Sequence, residues 1–185
     1  MFEVEKRAKF LTEADFVKCK ESLEKNGKFR SRKEMLTFLF REPHYMRVRL
    51  VKDNEMATIT YKTGTYGDLA RKEVNLDLYR QQLRGFIEIM EAFGFKECAS
   101  LRSERYSYDF NGFNVELNKI DKLGLLVEIE TIVADESELN EINKKISETL
   151  ALLEMKELDS QEYQNMMDEM YQGGLQPISV YTFNI

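Results

Sequence analysis

The sequence of 185 residues is poor in the side chains that build common zinc and redox sites. It contains a single histidine, His44, and two cysteines, Cys19 and Cys98. One histidine excludes a histidine-based zinc site, and the spacing of the cysteines is not that of a metal site. We therefore predict that both thiols are free and buried, as is usual in the reducing cytoplasm, and that His44 lies in a loop beside Pro43.

The sequence also lacks an excess of positive charge and a long apolar run. Its formal net charge of -6 argues against non-specific nucleic-acid binding and against a basic membrane-surface role. No apolar stretch approaches the roughly 20 residues of a membrane-spanning helix, and the acidic N-terminus lacks the pattern of a secretory signal. With 43% hydrophobic and 32% charged residues, the chain is typical of a globular protein. We expect a single cytoplasmic domain over residues 1–185.

Most of the chain alternates between strand and helix patterns. Strands are predicted by period-2 alternation and helices by apolar residues three or four apart. The strands fall at residues 2–10, 34–40, 45–51, 56–62, 70–76, 105–110, 113–120 and 125–133. The helices fall at 12–26, 79–93, 139–153 and 163–170, and the apolar tail 178–185 is left as a last strand or a packed segment. The expected fold class is α+β, with about eight strands.

Charged side chains share one face of strand after strand. In the first strand, Glu3, Glu5 and Arg7 take alternate positions, so their side chains point to the same side. A polar sheet face turned to water is the simplest explanation. However, arginine and glutamate dominate these faces; a guanidinium suits phosphate oxygens, and paired carboxylates suit a hard divalent cation. If the sheet closes into a barrel, a polyanion that carries a metal would satisfy both sets of charges.

Five short motifs, in order along the chain, resemble those of the CYTH superfamily, the triphosphate tunnel metalloenzymes. The resemblance covers about residues 2–165. The motifs are Glu3-Val4-Glu5-Lys6-Arg7 for E-x-E-x-K, Arg47-Val48-Arg49 for R-x-R, the strand lysine Lys62, Arg71-Lys72-Glu73 for R-x-E, and Glu128-Ile129-Glu130 for the late E-x-E. The resemblance implies a closed antiparallel β-barrel of the triphosphate tunnel fold, with the helices packed outside.

The resemblance also implies roles for these residues. The phosphate oxygens would be bound by Arg7, Arg47, Arg49, Lys62, Arg71 and Arg105. The metal ion, Mg²⁺ or Mn²⁺, would be held by Glu3, Glu5, Glu128 and Glu130, with Glu73 and Glu116 as further members of the set. The catalytic residues would be Lys62, Glu128 and Glu130, and the general base is left open between a glutamate and Lys62.

The sequence departs from the family pattern at several positions. Ser103 stands where a lysine is common before Arg105, and Asn118 stands where an aspartate is usual. The predicted second strand lacks the histidine, aspartate and tyrosine typical of class IV adenylyl cyclases. It also lacks the tyrosine that partners a catalytic lysine in some thiamine triphosphatases. The reaction is therefore less well determined than the family.

Three functions fit these observations. The first is metal-dependent hydrolysis of a triphosphate: tripolyphosphate, thiamine triphosphate or ATP. The second is a class IV adenylyl cyclase that makes cyclic AMP and pyrophosphate. The third is a module that binds nucleotides or polyphosphate without turnover, which Asn118 and Ser103 favour. The oligomeric state, a homodimer included, and the role of the tail 175–185 as a tunnel plug or a subunit contact are left open.

Overall fold

The computed structural model describes residues 2–41, 45–62 and 73–181 of the chain. Within them, nine strands form one antiparallel sheet that packs with four α-helices. The strands are β1 (Phe2–Lys9), β2 (Lys28–Phe40), β3 (Met46–Val51), β4 (Met56–Lys62), β5 (Glu73–Tyr79), β6 (Glu97–Phe110), β7 (Phe113–Ile120), β8 (Gly124–Val133) and β9 (Leu175–Pro177). The helices are α1 (Glu13–Asn26), α2 (Leu83–Ala92), α3 (Leu139–Leu152) and α4 (Ser160–Gly174). His44 and Arg71, for which the sequence predicted a loop and a phosphate contact, lie outside the described residues.

Two strands are much longer than the sequence pattern indicated. β2 begins at Lys28 and β6 at Glu97, whereas the sequence predicted strands that begin at residues 34 and 105. The first half of β2 pairs with the second half of β6, where Arg32 lies opposite Tyr106. Because most side chains in this part of β2 are exposed, the segment carries no apolar alternation by which it could be recognised as a strand.

Two apolar cores lie on the convex side of the sheet, under three of the helices. One core joins α1 and α3 to β1, β6, β7 and β8, with Phe16 and Ile146 buried at its centre. The other joins α2 to β2, β3 and β4 around Leu83. Each core contains one of the two cysteines, and both thiols are free and buried, which confirms the prediction.

The sheet curls into a half-barrel, so the prediction of a closed barrel is wrong for the described residues. The strand order is β1-β8-β7-β6-β2-β3-β4-β5, with β9 on β6, and no described ladder joins β1 to β5. The outer edge of β1 is instead occupied by the segment between α3 and α4. There the N–H of Leu158 donates to the carbonyl of Arg7 at 2.8 Å, and Glu157 forms a β-bridge with Ala8. This segment uses backbone groups of β1 that closure would need.

Helix α4 lies over the concave side of the sheet, whereas the sequence predicted that all helices pack outside a barrel. Its residues Met167 and Met170 are buried against Leu39 and Leu101, which belong to β2 and β6. This end of the concave face is apolar, so an apolar helix face can cover it. The interpretation of the methionine stripe as packing is confirmed.

The described part of the C-terminal tail begins on the concave side, where Leu175 packs with the cluster of α4, and continues on the convex side. β9 pairs with the first residues of β6, and Ile178 is buried in the core that contains α2. Tyr181 packs edge-on against Phe38 with 5.4 Å between the ring centroids. The tail is thus divided between the two sides from Leu175 to Tyr181, and helix α4 covers the concave side. The described helices include none with the length and apolarity needed to cross a membrane.

Candidate functional site

The concave face of the half-barrel collects the charged residues that the sequence placed on one side of each strand. Alternation sends Val4 and Ala8 of β1 into the convex core, so Glu3, Glu5 and Arg7 point to the concave side. The pairing of β1 with β8 sets Glu5 opposite Glu130. Next to β8 follow β7, β6, β2 and β3 in the sheet, and the concave faces of β7, β6 and β3 also carry charged side chains. The described side chains of the face are those of Glu3, Glu5, Arg7, Arg47, Arg49, Glu73, Arg105, Glu116, Asn118, Glu128 and Glu130.

A connected ion-pair network runs through the middle of this face. Glu128 accepts from Arg7 Nε at 2.7 Å and pairs with Arg105 Nη2 at 3.2 Å. Arg7 also pairs with Glu5 at 2.6 Å, and Arg105 pairs with Glu116. Burial opposes the ionisation of Glu128, but the two arginines hold its pKa at about 2. Glu128 is therefore a carboxylate whose oxygens are already engaged by cations.

Asn118 is an integral part of that network. Its side chain is fully buried, and its Oδ1 accepts from Arg105 Nε at 2.8 Å. Its Nδ2 donates to Glu128 Oε2 at 3.2 Å. An amide can donate and accept at once, which a carboxylate cannot do. The replacement of the usual aspartate therefore links Arg105 to Glu128 and keeps both in place.

A cluster of three carboxylates lies beside the network. One oxygen from each of Glu3, Glu5 and Glu130 falls within 4.8 Å of the others, and all three side chains are half-buried. Asn114 donates to Glu130 at 2.8 Å. Burial, with the negative charges of Glu116 and Glu128, raises the pKa of Glu130 to about 7. This cluster of hard oxygen ligands is suited to a divalent cation, which would relieve the repulsion between the carboxylates.

Opposite these acids, β3 supplies two arginines with few partners. Arg47 Nη2 lies 3.6 Å from Glu73 Oε2, and its Nε atom is buried without a hydrogen bond. Arg49 Nε is also buried without a hydrogen bond, and no described carboxylate forms an ion pair with this side chain. Burial and the nearby positive charges of Arg47 and Arg105 lower the pKa of Arg49 to about 9. A buried, uncompensated guanidinium is costly, and an anionic ligand would remove that cost.

Of the remaining predicted site residues, Lys62 and Glu73 lie at the β4–β5 end of the sheet. Lys62 is the last residue of β4 and is paired with Glu73 of β5 in the ladder. Glu116 is buried on β7, between Arg105 and the amide of Asn114. The structure thus gathers the described predicted side chains on one surface. Glu3, Glu5 and Glu130 form the carboxylate cluster, whereas Glu73, Glu116 and Glu128 are ion-paired to arginines, and Glu5 belongs to both groups because it also pairs with Arg7.

The sequence interpretation missed the contribution of α4 to this site. The ring of Tyr163 lies over the guanidinium of Arg7, with 4.4 Å between the guanidinium carbon and the ring centroid. Burial raises the pKa of Tyr163 to about 12, so the phenol stays neutral at physiological pH. Tyr163 belongs to the amphipathic pattern of α4, and that pattern predicts burial but not the partner. Only the fold brings this ring to the motif at the start of the chain.

A small cavity of about 80 Å³ lies between α4 and the charged face. It is lined by Arg7, Arg47, Arg49, Arg105, Glu128 and Tyr163, among others. A larger cleft of about 540 Å³ lies on the convex side, between α1 and the segment after α3. Its Lys18 and Glu154 pair with each other at 2.5 Å and are exposed to solvent. The larger cleft is thus outside the charged face, whereas the small cavity is lined by Arg47 and Arg49, whose Nε atoms are buried without a hydrogen bond.

A protein family model matches most of the chain. The model of the CYTH domain family matches residues 1–162. This range contains every residue of the charged face and the first residues of α4. No curated protein matches significantly.

Solved structures share the architecture at low sequence identity. A conserved hypothetical protein of Pyrococcus furiosus is 26% identical with a TM-score of 0.67, over 83% of this chain and 91% of that one. The PH1819 protein of Pyrococcus horikoshii is 19% identical with a TM-score of 0.75, over 90% and 98%. A candidate adenylyl cyclase of Hippeastrum with a dominant triphosphatase activity is 12% identical with a TM-score of 0.60, over 85% and 90%.

Proposed function

Because the chain belongs to the CYTH domain family, we propose that it is a metal-dependent phosphohydrolase that acts on a triphosphate on the concave face. The observation that carries the proposal is the state of Arg49. The side chain is half-buried beside Arg47 and Arg105, its Nε atom is buried without a hydrogen bond, and no described carboxylate forms an ion pair with it. The charges of Glu116 and Glu128 offset the repulsion from these arginines only in part. A chain of phosphates is a ligand with enough negative charge to satisfy this group.

The basic side of the face binds and orients the phosphate chain in this proposal. Arg47 and Arg49 offer their unbonded Nε–H groups to phosphate oxygens, and the motif residues Lys62 and Arg71 are proposed as further phosphate ligands. Arg7 and Arg105 are held by carboxylates, so they add positive charge to the site from fixed positions. Such fixed charges stabilise the negative charge that develops during phosphoryl transfer.

The acidic side holds the metal ion in this proposal. Glu3, Glu5 and Glu130 are the ligands, because their oxygens already converge. Mg²⁺ or Mn²⁺ there would polarise the phosphoryl group and lower the pKa of a bound water. Glu128 does not bind the metal ion directly in this proposal but holds Arg7 and Arg105 in place. Glu73 holds Arg47, and Glu116 holds Arg105. The proton acceptor for the attacking water is Lys62 or Glu130.

Product analysis tests the proposed reaction. Purified protein is incubated with Mg²⁺ or Mn²⁺ and with tripolyphosphate, thiamine triphosphate or ATP in turn. Release of orthophosphate supports the phosphohydrolase. Cyclic AMP with pyrophosphate identifies the adenylyl cyclase instead, and tight binding with neither product identifies a binding module; either result overturns the proposal.

Paired variants connect the reaction to the site. Glu130→Gln removes one ligand charge, and we expect turnover to fall by about 100-fold or more because metal binding is lost. The matched control is Glu91→Gln, since Glu91 is exposed on α2 and lies away from the face. Turnover by Glu130→Gln at the level of the control would remove Glu130 from the metal site.

A further inference from the structure

The two terminal strands of the half-barrel differ in how their free edges are protected. The edge of β1 is occupied by Glu157 and Leu158, and it carries Lys6, which pairs with Glu157 at 2.8 Å. The edge of β5, in contrast, has no pairing partner among the described residues. Free strand edges readily add another strand, so natural proteins usually protect them with charge, proline or a covering segment.

The hydrogen-bond pattern shows which backbone groups β5 offers at that edge. The N–H of Arg80, one residue after β5, donates to the carbonyl of Glu55 at 2.9 Å. Backbone groups alternate in direction along a strand, so even-numbered residues of β5 point toward β4 and odd-numbered residues point to the free edge. The N–H of Tyr79 agrees with this assignment, because it is satisfied by the side chain of Gln82 at 3.1 Å. The free edge therefore presents the backbone of Asn75 and Asp77.

The side chains of β5 protect its edge little, because its two charged residues, Glu73 and Asp77, lie on the concave side. The strand, Glu73-Val-Asn-Leu-Asp-Leu-Tyr79, contains no lysine, arginine or proline. Val74 and Leu76 are each 51% exposed on the convex side, the side on which Leu78 packs with the core of α2. An apolar strip thus runs along a strand edge that has unpaired backbone groups, which is a typical site for strand addition.

We propose that β5 pairs with β5 of a second copy of this chain, antiparallel and centred on Leu76. This arrangement has twofold symmetry, so one edge supplies both halves of the interface. It sets Leu76 opposite Leu76 and Val74 opposite Leu78, which covers the apolar strip. On the concave side it sets Asn75 opposite Asp77 and Glu73 opposite Tyr79, pairs that can form hydrogen bonds.

The charges of β5 select this register over its neighbours. In a twofold antiparallel pair, residues directly opposite each other lie on the same face of the sheet. Odd-numbered residues must therefore pair with odd-numbered ones, which requires the twofold axis to pass beside a residue rather than between two residues. Centring on Asn75 would set Glu73 opposite Asp77, and centring on Asp77 would set two aspartates opposite each other. Like charges directly opposite destabilise a sheet. The register centred on Leu76 avoids both conflicts, aligns the edge-facing backbone of odd-numbered residues, and pairs the whole strand.

The interface is small, so association is expected to be weak. A strand of this length spans about 20 Å, and pairing two such edges buries less than the roughly 1,200 Å² of a standard stable interface. The monomer of 21.8 kDa should therefore exchange with a dimer in a concentration-dependent way. In sedimentation equilibrium, the average mass should rise toward twice the monomer mass as the concentration reaches hundreds of micromolar. A monomer mass throughout that range overturns the proposal.

Cysteine cross-linking tests the register. In the pairing centred on Leu76, the Cα atoms of the two Leu76 residues are about 4.5 Å apart, within reach of a disulfide. Leu76→Cys should therefore form a covalent dimer when oxidised glutathione is added. The matched variant Val74→Cys should not, because the two Val74 residues would be about 13 Å apart. Equal cross-linking of the two variants, or none by Leu76→Cys, contradicts the register.

A charge substitution tests the surface independently of cross-linking. Leu76→Lys sets two positive charges opposite each other and should weaken dimerisation at least tenfold. Because Leu76 is half exposed, the folded monomer should accept the lysine, which circular dichroism can verify. Leu152→Lys is the control: this leucine is 65% exposed on α3, and its substitution should leave the dimer unchanged. An unchanged dimer in Leu76→Lys places the interface elsewhere and overturns the proposal.

Discussion

At the scale of single residues, the site stores unfavourable electrostatics that a ligand would relieve. Arg49 is half-buried beside Arg47 and Arg105, and Glu130 is half-buried beside Glu116 and Glu128. Other charges on the face, such as Arg105 and Glu128, are paired and hydrogen-bonded. This contrast separates residues held for a ligand from residues that hold the structure. It leads to opposite expectations for substitutions that look alike.

Substitution of Arg49 by methionine should stabilise the free protein while abolishing triphosphate binding. The change removes an uncompensated buried charge, and we expect the free energy of unfolding to rise by about 1 kcal/mol. Arg105→Met should instead lower it by about 3–5 kcal/mol, because Glu116 and Glu128 lose a partner. Urea denaturation in phosphate-free buffer measures both. A loss of stability in Arg49→Met as large as that in Arg105→Met would assign Arg49 a structural role.

The pKa of Glu130 predicts a pH dependence near neutrality. Burial and neighbouring carboxylates raise this pKa from 4.5 to about 7, so the folded protein favours the protonated form. The resulting stabilisation is complete below about pH 4.5 and is lost as the pH rises through about 7. Metal binding requires the deprotonated form, so Mg²⁺ affinity should fall about tenfold per pH unit below 7. Calorimetry should detect release of one proton on Mg²⁺ binding at pH 6, and Glu130→Gln should abolish that release.

At the scale of elements, α4 decides how the charged face is covered. Its capping box at Asp159 and Glu162 starts the helix just after the segment that pairs with β1. That start places Tyr163 over Arg7 and Met167 over the apolar end of the face. The covering helix is thus tied to the same strand that carries Glu3 and Glu5. Burial of its apolar face is what holds it there.

Removal of the Tyr163 ring should destabilise the protein far more than removal of its hydroxyl group. Tyr163→Ala deletes the half-buried ring that packs on Arg7. Loss of a fully buried aromatic side chain costs about 3–5 kcal/mol, so we expect a loss of about 2–3 kcal/mol here. Tyr163→Phe keeps the ring and should cost less than about 1.5 kcal/mol. Urea denaturation compares the two. Equal losses in the two variants would mean that the hydroxyl group, rather than ring packing, is the stabilising contact.

At the scale of the whole molecule, opposite charges from distant parts of the chain meet on one surface. Metal and triphosphate should therefore stabilise the fold jointly. The metal ion neutralises the carboxylates that repel the phosphate chain, and the phosphate chain neutralises the arginines that repel the metal ion. At 100 times the dissociation constant, binding adds about 2.7 kcal/mol, which corresponds to a rise in Tm of about 5–11 °C for a protein of this size. Differential scanning fluorimetry should show a smaller rise for Mg²⁺ or tripolyphosphate alone. Equal rises for the separate and combined ligands would argue against a shared site.

The sequence by itself determined the strand faces, the buried cysteines, the amphipathic helices and the family. These properties follow from local alternation and from motif order, which the chain carries residue by residue. Thus Glu3, Glu5 and Arg7 could be assigned to one face before any strand had a partner. The same local pattern missed the first half of β2, whose exposed side chains give no apolar signal.

Tertiary structure alone decided which charges pair and which remain free. Glu128 and Glu130 are equivalent in the motif, but strand register and tilt place one between two arginines and the other in a carboxylate cluster. The half-open sheet and the position of Tyr163 also depend on contacts between residues far apart in the chain, such as Leu158 with Arg7. Pair energies fall steeply with distance, and those distances exist only in the folded chain.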